Sequence, residues 1–251
     1  MRRVRSYRRK VLIKALRKRE LSCLLRHLKA KGLLRLYLEE LSELDRVTQD
    51  TFYHPEGDAW IHTLRCIEVA ESEGYSFSLV LASMLHDVGK VLFIGKDNYH
   101  SHERESAKRV VKFFYRFPID GRIVKKVKRL VRDHMKFHHP LSERTIGRLI
   151  REHPYLDELI RLTEIDLKGS CGYLETFIGN KRKVELLKRK AAKPITLLNG
   201  YEIMSLFGIP QGKEVGFLKA LVYDAQVKGL ISSKEEAIEY LKRLLRKESQ
   251  P

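Results

Sequence analysis

Residues 77–90 read FSLVLASMLHDVGK. Phe77–Leu85 carries no charged side chain and is apolar nearly all round, which predicts a helix buried on every face. That helix delivers two ligand-type side chains, His86 and Asp87, to the end of a buried element, and Gly89 follows closely. In both directions from this stretch, apolar residues recur at spacings of three and four. The run His54-Pro55-Glu56-Gly57-Asp58 is a turn that opens a helix from about Asp58 to Glu73, with Asp58 as its cap and Gly74 as its stop. Further helices are expected near 101–117, 120–137, 142–152 and 154–168, then near 183–192, 198–206, 213–228 and 233–247. Upstream, Val11, Leu12, Leu16 and Leu21 begin a pattern that continues to Leu41, with breaks near Gly32 and Asp45. No run alternates apolar and polar residues. Asn199–Gly200 has the chemistry of a hairpin turn, but its flanks lack strand patterning. The expected fold class is all-α.

The chain has 251 residues, 43% of them hydrophobic and 33% charged, which describes a folded domain with a core and excludes a disordered chain. Its longest stretch without a charged side chain other than His is Gly74–His86, thirteen residues. A membrane-spanning helix needs about 20, so no membrane span is expected. No apolar run follows Met1 as a secretory signal would require. The three cysteines, Cys23, Cys66 and Cys171, form no CxxC pair, which fits a reducing cytoplasm better than a disulfide framework or a thiolate zinc site. The net charge is +18, and it is uneven. Residues 1–31 hold thirteen basic side chains against one acid, Glu20, and further basic clusters lie at 122–136 and 181–193. Three such patches with little balancing acid point to nucleic acid or a nucleotide as partner, although any one of them alone reads equally well as a solvated helix face.

Polar residues on apolar stripes carry the chemistry. On helix 120–137 the stripe runs Ile123, Val127, Leu130 and then His134; on helix 154–168 it runs Leu156, Leu159, Thr163 and then Asp166. His62 shares a face with Cys66 and Val69, and His102 lies at the start of another helix. A buried carboxylate costs several kcal/mol unless it is paired or binds a metal. Singly, each of these residues reads as a satisfied core histidine or a capping carboxylate. Together, His62, His86, Asp87, His102, His134 and Asp166 come from five separate helical segments, and imidazole with carboxylate suits a borderline or hard divalent ion. No cysteine is expected in the set, and His100, His138 and His139 are expected at the surface.

The order His, His-Asp, His, His, Asp resembles that of the HD-domain metal-dependent phosphohydrolases, with HDVGK at 86–90 as the central motif. YHPEGDAWIHTL at 53–64, LASMLHDVGK at 81–90, HERESAKRV at 102–110 and LNGYEIMSLFGIPQGKEVGFLKAL at 198–221 are similar to the C-terminal body and HD region of bacterial CCA-adding tRNA nucleotidyltransferases and poly(A) polymerase relatives. The resemblance runs from about residue 11 to the end. It implies an HD-domain helical bundle at 51–170, flanked by a basic helical segment at 1–50 and a helical tail at 171–251. The family's nucleotidyltransferase head, with its glycine pair and paired aspartates, is not found, so a head is expected to be absent, replaced or supplied by a separate subunit.

The resemblance further implies that His62, His86, Asp87 and Asp166 hold a first divalent ion and that Asp87 bridges to a second held by His102 and His134. One or two ions are expected, with Mn, Ni, Co, Mg, Fe and Zn not distinguished. Asp87 and Lys90 are the expected catalytic residues, Lys90 neutralising a phosphate oxygen, and Glu103 is a weaker supporting candidate. His54, Asp58 and Arg104 are expected to order the loop or contact substrate. The function implied is phosphohydrolysis at 2′,3′-cyclic, 2′- or 3′-phosphates of nucleotides or RNA ends. Two other readings compete: a non-catalytic tRNA-binding body of a split nucleotidyltransferase, and a regulatory nucleotide-sensing domain.

Overall fold

The computed structural model describes residues 2–50, 52, 54–96, 98–170, 174–191 and 196–248. Cys171 and Gly172, where a looser joint was expected, and Lys193 of the third basic cluster lie outside the described residues. Among the described residues the regular structure is helical, and the one β-type contact is an isolated antiparallel bridge between Thr48 and Asp58. The chain divides into two compact units, 1–187 and 188–251.

The first unit is built around the apolar run. Helix α5 (Phe77–Leu85) has every residue from Ser78 to Leu85 buried, and Ser76 caps it by accepting from the Leu79 N–H. It packs against α4 (Ala59–Ser72), α7 (Gly121–Asp133) and α9 (Leu156–Gly169), while α6 (His102–Arg116) covers α7 and the 3₁₀ segment Val88–Phe93. Burial of side chains such as Leu79, Leu81, Met84 and Leu85, each at most 1% exposed, contributes about 1.5–3 kcal/mol apiece. α4 and α9 approach so closely that a Cβ on Gly169 would lie 2.5 Å from Cys66 Sγ. The start of α4 is fixed as the turn chemistry predicts: Asp58 Oδ1 accepts from the Ile61 N–H at 2.8 Å.

The basic N-terminal segment is not a domain of its own. α1 (Arg2–Lys18), α2 (Leu21–Ala30) and α3 (Leu34–Tyr37) share one core with the helices that follow, through Leu21, Leu25, Leu41 and Leu44. The tie is polar as well. The N-terminus of α2 has no side-chain cap of its own, and Glu71 of α4 supplies one, accepting from Leu21 N at 2.6 Å and from Ser22 Oγ at 2.6 Å. The boundary also falls elsewhere than the expected 170/171. α8 (Glu143–Glu152) and α10 (Leu174–Ala191) follow α7 and α9, and the division comes after Leu187, inside the α10 helix, which starts well before the expected 183.

The second unit is a three-helix assembly of α11 (Gly200–Phe207), α12 (Lys213–Val227) and α13 (Lys234–Glu248), with its own core of Leu198, Ile203, Leu218, Val222, Ala237 and Leu241. Asn199 and Glu202 form a reciprocal capping box, so Asn199–Gly200 begins a helix and makes no hairpin. No helix of the described residues is long and apolar enough to cross a membrane.

Candidate metal centre

Each of the six expected ligands is delivered by a different local device. His62 is on α4, buried beneath its first turn. His86 is the C-cap of α5 and Asp87 follows it, so both side chains leave the buried helix at its end. His102 is the first residue of α6, after Ser101 in a left-handed conformation (φ 66°). Asp166 lies on the buried stripe of α9. His134 departs from the expectation in one respect: α7 ends at Asp133, and His134 opens the 3₁₀ segment His134–His138.

The structure brings all six together. His62 Nε2 lies 3.2 Å from His86 Nε2 and 2.9 Å from Asp166 Oδ1. His102 Nε2 lies 3.2 Å from His134 Nε2 and 3.1 Å from Asp87 Oδ1. Asp87 stands between the two groups: Oδ2 faces His86 Nε2 at 3.4 Å and His62 Nε2 at 3.8 Å, while Oδ1 faces His102 and His134. Both Asp87 oxygens are buried; Oδ2 pairs with Lys90 Nζ at 2.7 Å, and none of the facing imidazoles makes a directed hydrogen bond to either oxygen.

The tautomers follow from the outer contacts. His86, His102 and His134 place Nδ1 at 2.8, 2.9 and 2.7 Å from the carbonyl oxygens of Ser83, Tyr99 and Val131. A carbonyl accepts only, so each Nδ1 carries the proton and each Nε2 presents a lone pair to the centre. The His102 and His134 lone pairs, 3.2 Å apart, repel unless a cation lies between them, and donors about 2.1 Å from one ion stand roughly 3–3.4 Å apart. The buried carboxylate and the facing imidazoles therefore fit divalent cations, in two groups that share Asp87. Burial and the neighbouring His102 and His86 rings push the His134 pKa well down, which keeps it a neutral donor. Burial raises the Asp87 and Asp166 carboxyls, but His86, Lys90 and His102 around the first and His138 and His62 around the second hold both well below the usual carboxylate range.

Three participants escaped the sequence reading. His138, expected at the surface, lies half-buried with Nε2 3.0 Å from Asp166 Oδ2. The reason is the 3₁₀ segment, which turns the chain back towards α9 where a continued α-helix would have carried it away. His100 and His139 are exposed, as expected. Glu56, read only as part of a turn, has a fully buried carboxylate whose Oε1 lies 2.9 Å from both His62 Nδ1 and His54 Nδ1. Burial raises its pKa, but bonds from His62, its own backbone and His54 bring it down to about 2. A carboxylate behind a ligating imidazole is the usual support for a metal-binding His. The third is Cys66, expected outside the set. Its Sγ is 3.5 Å from His62 Nε2 and 4.0 Å from Nδ1, which puts the sulfur beside the ring and off the Nε2 lone-pair axis. Burial pushes this thiol's pKa up.

Of the other expected residues, Lys90 is buried, with Nζ 2.7 Å from Asp87 Oδ2 and 2.5 Å from Gln49 Oε1. His54, Asp87, Lys90, Tyr99, His102 and Asp166 line a cleft of about 800 Å³. Asp58 does not line it; its carboxylate is used in capping α4. Arg104 is exposed and lines an adjoining cleft with His102, Arg132 and Lys136.

The fold and the two-group centre define a class, and comparison agrees with it. Residues 59–167 match the family model described as HD domain, and this part of the chain, α4 to α9, is an HD domain. The chain is 28% identical over 232 residues to the A-adding tRNA nucleotidyltransferase of Deinococcus radiodurans (86% of this chain, 53% of that protein). It is 33% identical over 239 residues to the CC-adding tRNA nucleotidyltransferase of Thermus thermophilus (86% and 51%). A multifunctional CCA protein of Acinetobacter baumannii is 28% identical over 151 residues (56% and 37%). The chain thus spans about half the length of the two longer-matching relatives.

Proposed function

We propose that this chain is a metal-dependent phosphohydrolase acting on nucleotide or RNA-end phosphates, of the 2′,3′-cyclic phosphodiesterase and phosphatase type. The observation that carries the reading is the buried Asp87 carboxylate, whose two oxygens are splayed between two groups of imidazole nitrogens. His62, His86, Asp87 and Asp166 would hold one divalent ion, and Asp87, His102 and His134 a second. Such ions, when bound, polarise a phosphate ester and activate water as a nucleophile. The nitrogen-and-oxygen donor set suits Mn, Ni, Co, Fe, Zn or Mg.

The remaining tasks fall to the protein. Backbone carbonyls and Glu56 fix the imidazole tautomers, so no reorganisation is needed when ligands arrive. Lys90 sets the orientation of Asp87 and faces the cleft, where its charge favours a phosphate. Arg104, exposed on the adjoining cleft, draws in anionic substrate. Burial of the ion pair Lys90–Asp87 keeps water from screening it. The cytoplasm is the compartment that suits free thiols at Cys23 and Cys66.

Protein loaded with manganese, nickel or cobalt should hydrolyse bis-p-nitrophenyl phosphate or 2′,3′-cyclic AMP, and Asp87→Ala should abolish turnover and lower the bound metal measured by elemental analysis. Equal activity in the variant refutes the assignment. A second reading, a tRNA-binding body that works with a separate nucleotidyltransferase subunit, is favoured by the names of the relatives and by the groove on α1 lined by Arg9, Lys10, Lys14, Arg17 and Lys18. It requires tRNA binding that is unchanged in Asp87→Ala.

A further inference from the structure

Gln49 follows Thr48, the residue that bridges to Asp58. Its N–H donates to Gly57 O at 2.9 Å, Ala59 N donates to Val47 O at 3.0 Å, and Tyr99 Oη donates to Thr48 O, so the backbone is held from two sides. The side chain is 7% exposed and lines the same cleft as Asp87, Lys90 and His54. Its two polar atoms are not interchangeable. Oε1 lies 2.5 Å from Lys90 Nζ. An ammonium has no lone pair, so the amide atom facing it must be the oxygen, and Nε2 is turned the other way. Nε2 is buried and has no hydrogen-bond partner among the described residues. An unpaired buried donor is costly, and it persists where its acceptor arrives from outside. Beside it, the Lys90 ammonium also only donates, so this wall of the cleft recognises a group that only accepts.

We propose that Gln49 is a substrate-positioning residue, whose amide Nε2 donates to a phosphate oxygen of the ligand in the cleft while its Oε1 holds Lys90 in register. The assignment rests on reading the cleft as a phosphate site. Gln49→Glu keeps an oxygen facing Lys90 and replaces the donor by an acceptor. Gln49→Met removes both polar atoms at similar size and adds no charge. Inorganic phosphate is titrated calorimetrically into the full chain, manganese-loaded and metal-free, with bound manganese and circular dichroism followed in parallel.

The expected result is a phosphate Kd raised about ten- to a hundredfold in Gln49→Met. The rise is larger in Gln49→Glu, at unchanged manganese content and helicity. If Gln49→Met fails to fold, Gln49→Glu decides, because it keeps the oxygen on Lys90 and removes only the donor. Wild-type affinity in Gln49→Glu with loss only in Gln49→Met reduces Gln49 to a prop for Lys90 and overturns the proposal. So does wild-type affinity in both variants, or a wild-type protein that takes up no phosphate. Gln49-dependent phosphate binding without hydrolysis of either ester by the wild type supports this assignment and refutes the hydrolase reading instead.

Discussion

Gly89 is where the backbone of the HDVGK stretch touches α6, and Gly89→Ala tests whether that contact sets the spacing of the centre. A Cβ there would lie 2.3 Å from His102 O, 2.5 Å from Ser106 N and 2.8 Å from Ser106 Oγ. Ordinary contacts are about 3.5 Å, so the 3₁₀ segment and α6 must part by roughly 1 Å. Two of the three obstructing atoms are backbone, which no rotamer change can move. The Gly89 N–H bond to Ser106 Oγ, 2.8 Å, opens with them. Overpacking of this kind costs about 1–3 kcal/mol. For a chain of this size that corresponds to a Tm lowered by roughly 2–12 °C. The centre is affected unequally. Asp87 precedes Gly89 by two residues and His102 heads α6, so the 3.1 Å between Asp87 Oδ1 and His102 Nε2 widens, while His62, His86 and Asp166 depend on other elements. Calorimetry should show the lower Tm, and elemental analysis should show loss of metal from the His102–His134 group with retention at the other. Ser106→Ala in the same background should recover little. Wild-type Tm and wild-type metal stoichiometry in Gly89→Ala would refute the packing argument.

Three further outcomes are expected. Asp133 is buried among His153, Lys136, Arg129 and Arg132; burial raises its pKa, but His153 first, then Lys136 and Arg129, hold it well below the usual carboxylate range. A depressed carboxylate contributes stability that is present above about pH 4 and is lost as pH falls. Asp133→Asn should therefore cost about 3–5 kcal/mol at pH 7 in urea unfolding, and the gap to wild type should narrow as pH drops towards 3; a constant gap contradicts this. Gly169→Ala should lower Tm by driving a Cβ against Cys66 Sγ, and Cys66→Ala in the same chain should restore most of it, a coupling of about 1–2 kcal/mol seen in a double-mutant cycle. If α1 tracks an RNA backbone, replacing Lys10, Lys14 and Arg17 by Ala should make the plot of log affinity for tRNA against log salt shallower by about 2–3, read by filter binding at several salt concentrations; an unchanged slope removes α1 from the interface.

What periodicity could reach, it reached. His62, His134 and Asp166 sit on or just beyond helical stripes whose neighbours are core residues, and an unbroken apolar run announces His86 and Asp87, so a spacing of three and four was enough to mark them. Apart from Cys66, which is on α4, the residues it missed lie where the backbone is not α-helical. His138 is in a 3₁₀ turn and Glu56 in the turn before α4. Gln49 follows Thr48, whose isolated bridge to Asp58 is too short to show alternation. The domain boundary was illegible for the opposite reason: α10 runs straight through it, and a continuous helix carries no break in composition or period. The basic clusters were legible as charge but not as function. On 122–136, Lys126 pairs with Glu158 while Arg129 and Lys136 pair with Asp133, so part of that cluster is spent inside the fold. Arg9, Lys10, Lys14, Arg17 and Lys18, by contrast, line an open groove. A count of charges cannot separate these cases, because the separation depends on which acids the fold brings within about 4 Å. The same logic explains the centre. Lys90 Nζ, 2.7 Å from Oδ2, is already enough to pair the buried Asp87 carboxylate, yet His62, His86, His102 and His134 also face its two oxygens. Ion pairing alone gives no reason for the Nε2 lone pairs of His86, His102 and His134 to point at a carboxylate. Cations lying between the imidazoles and the carboxylate do.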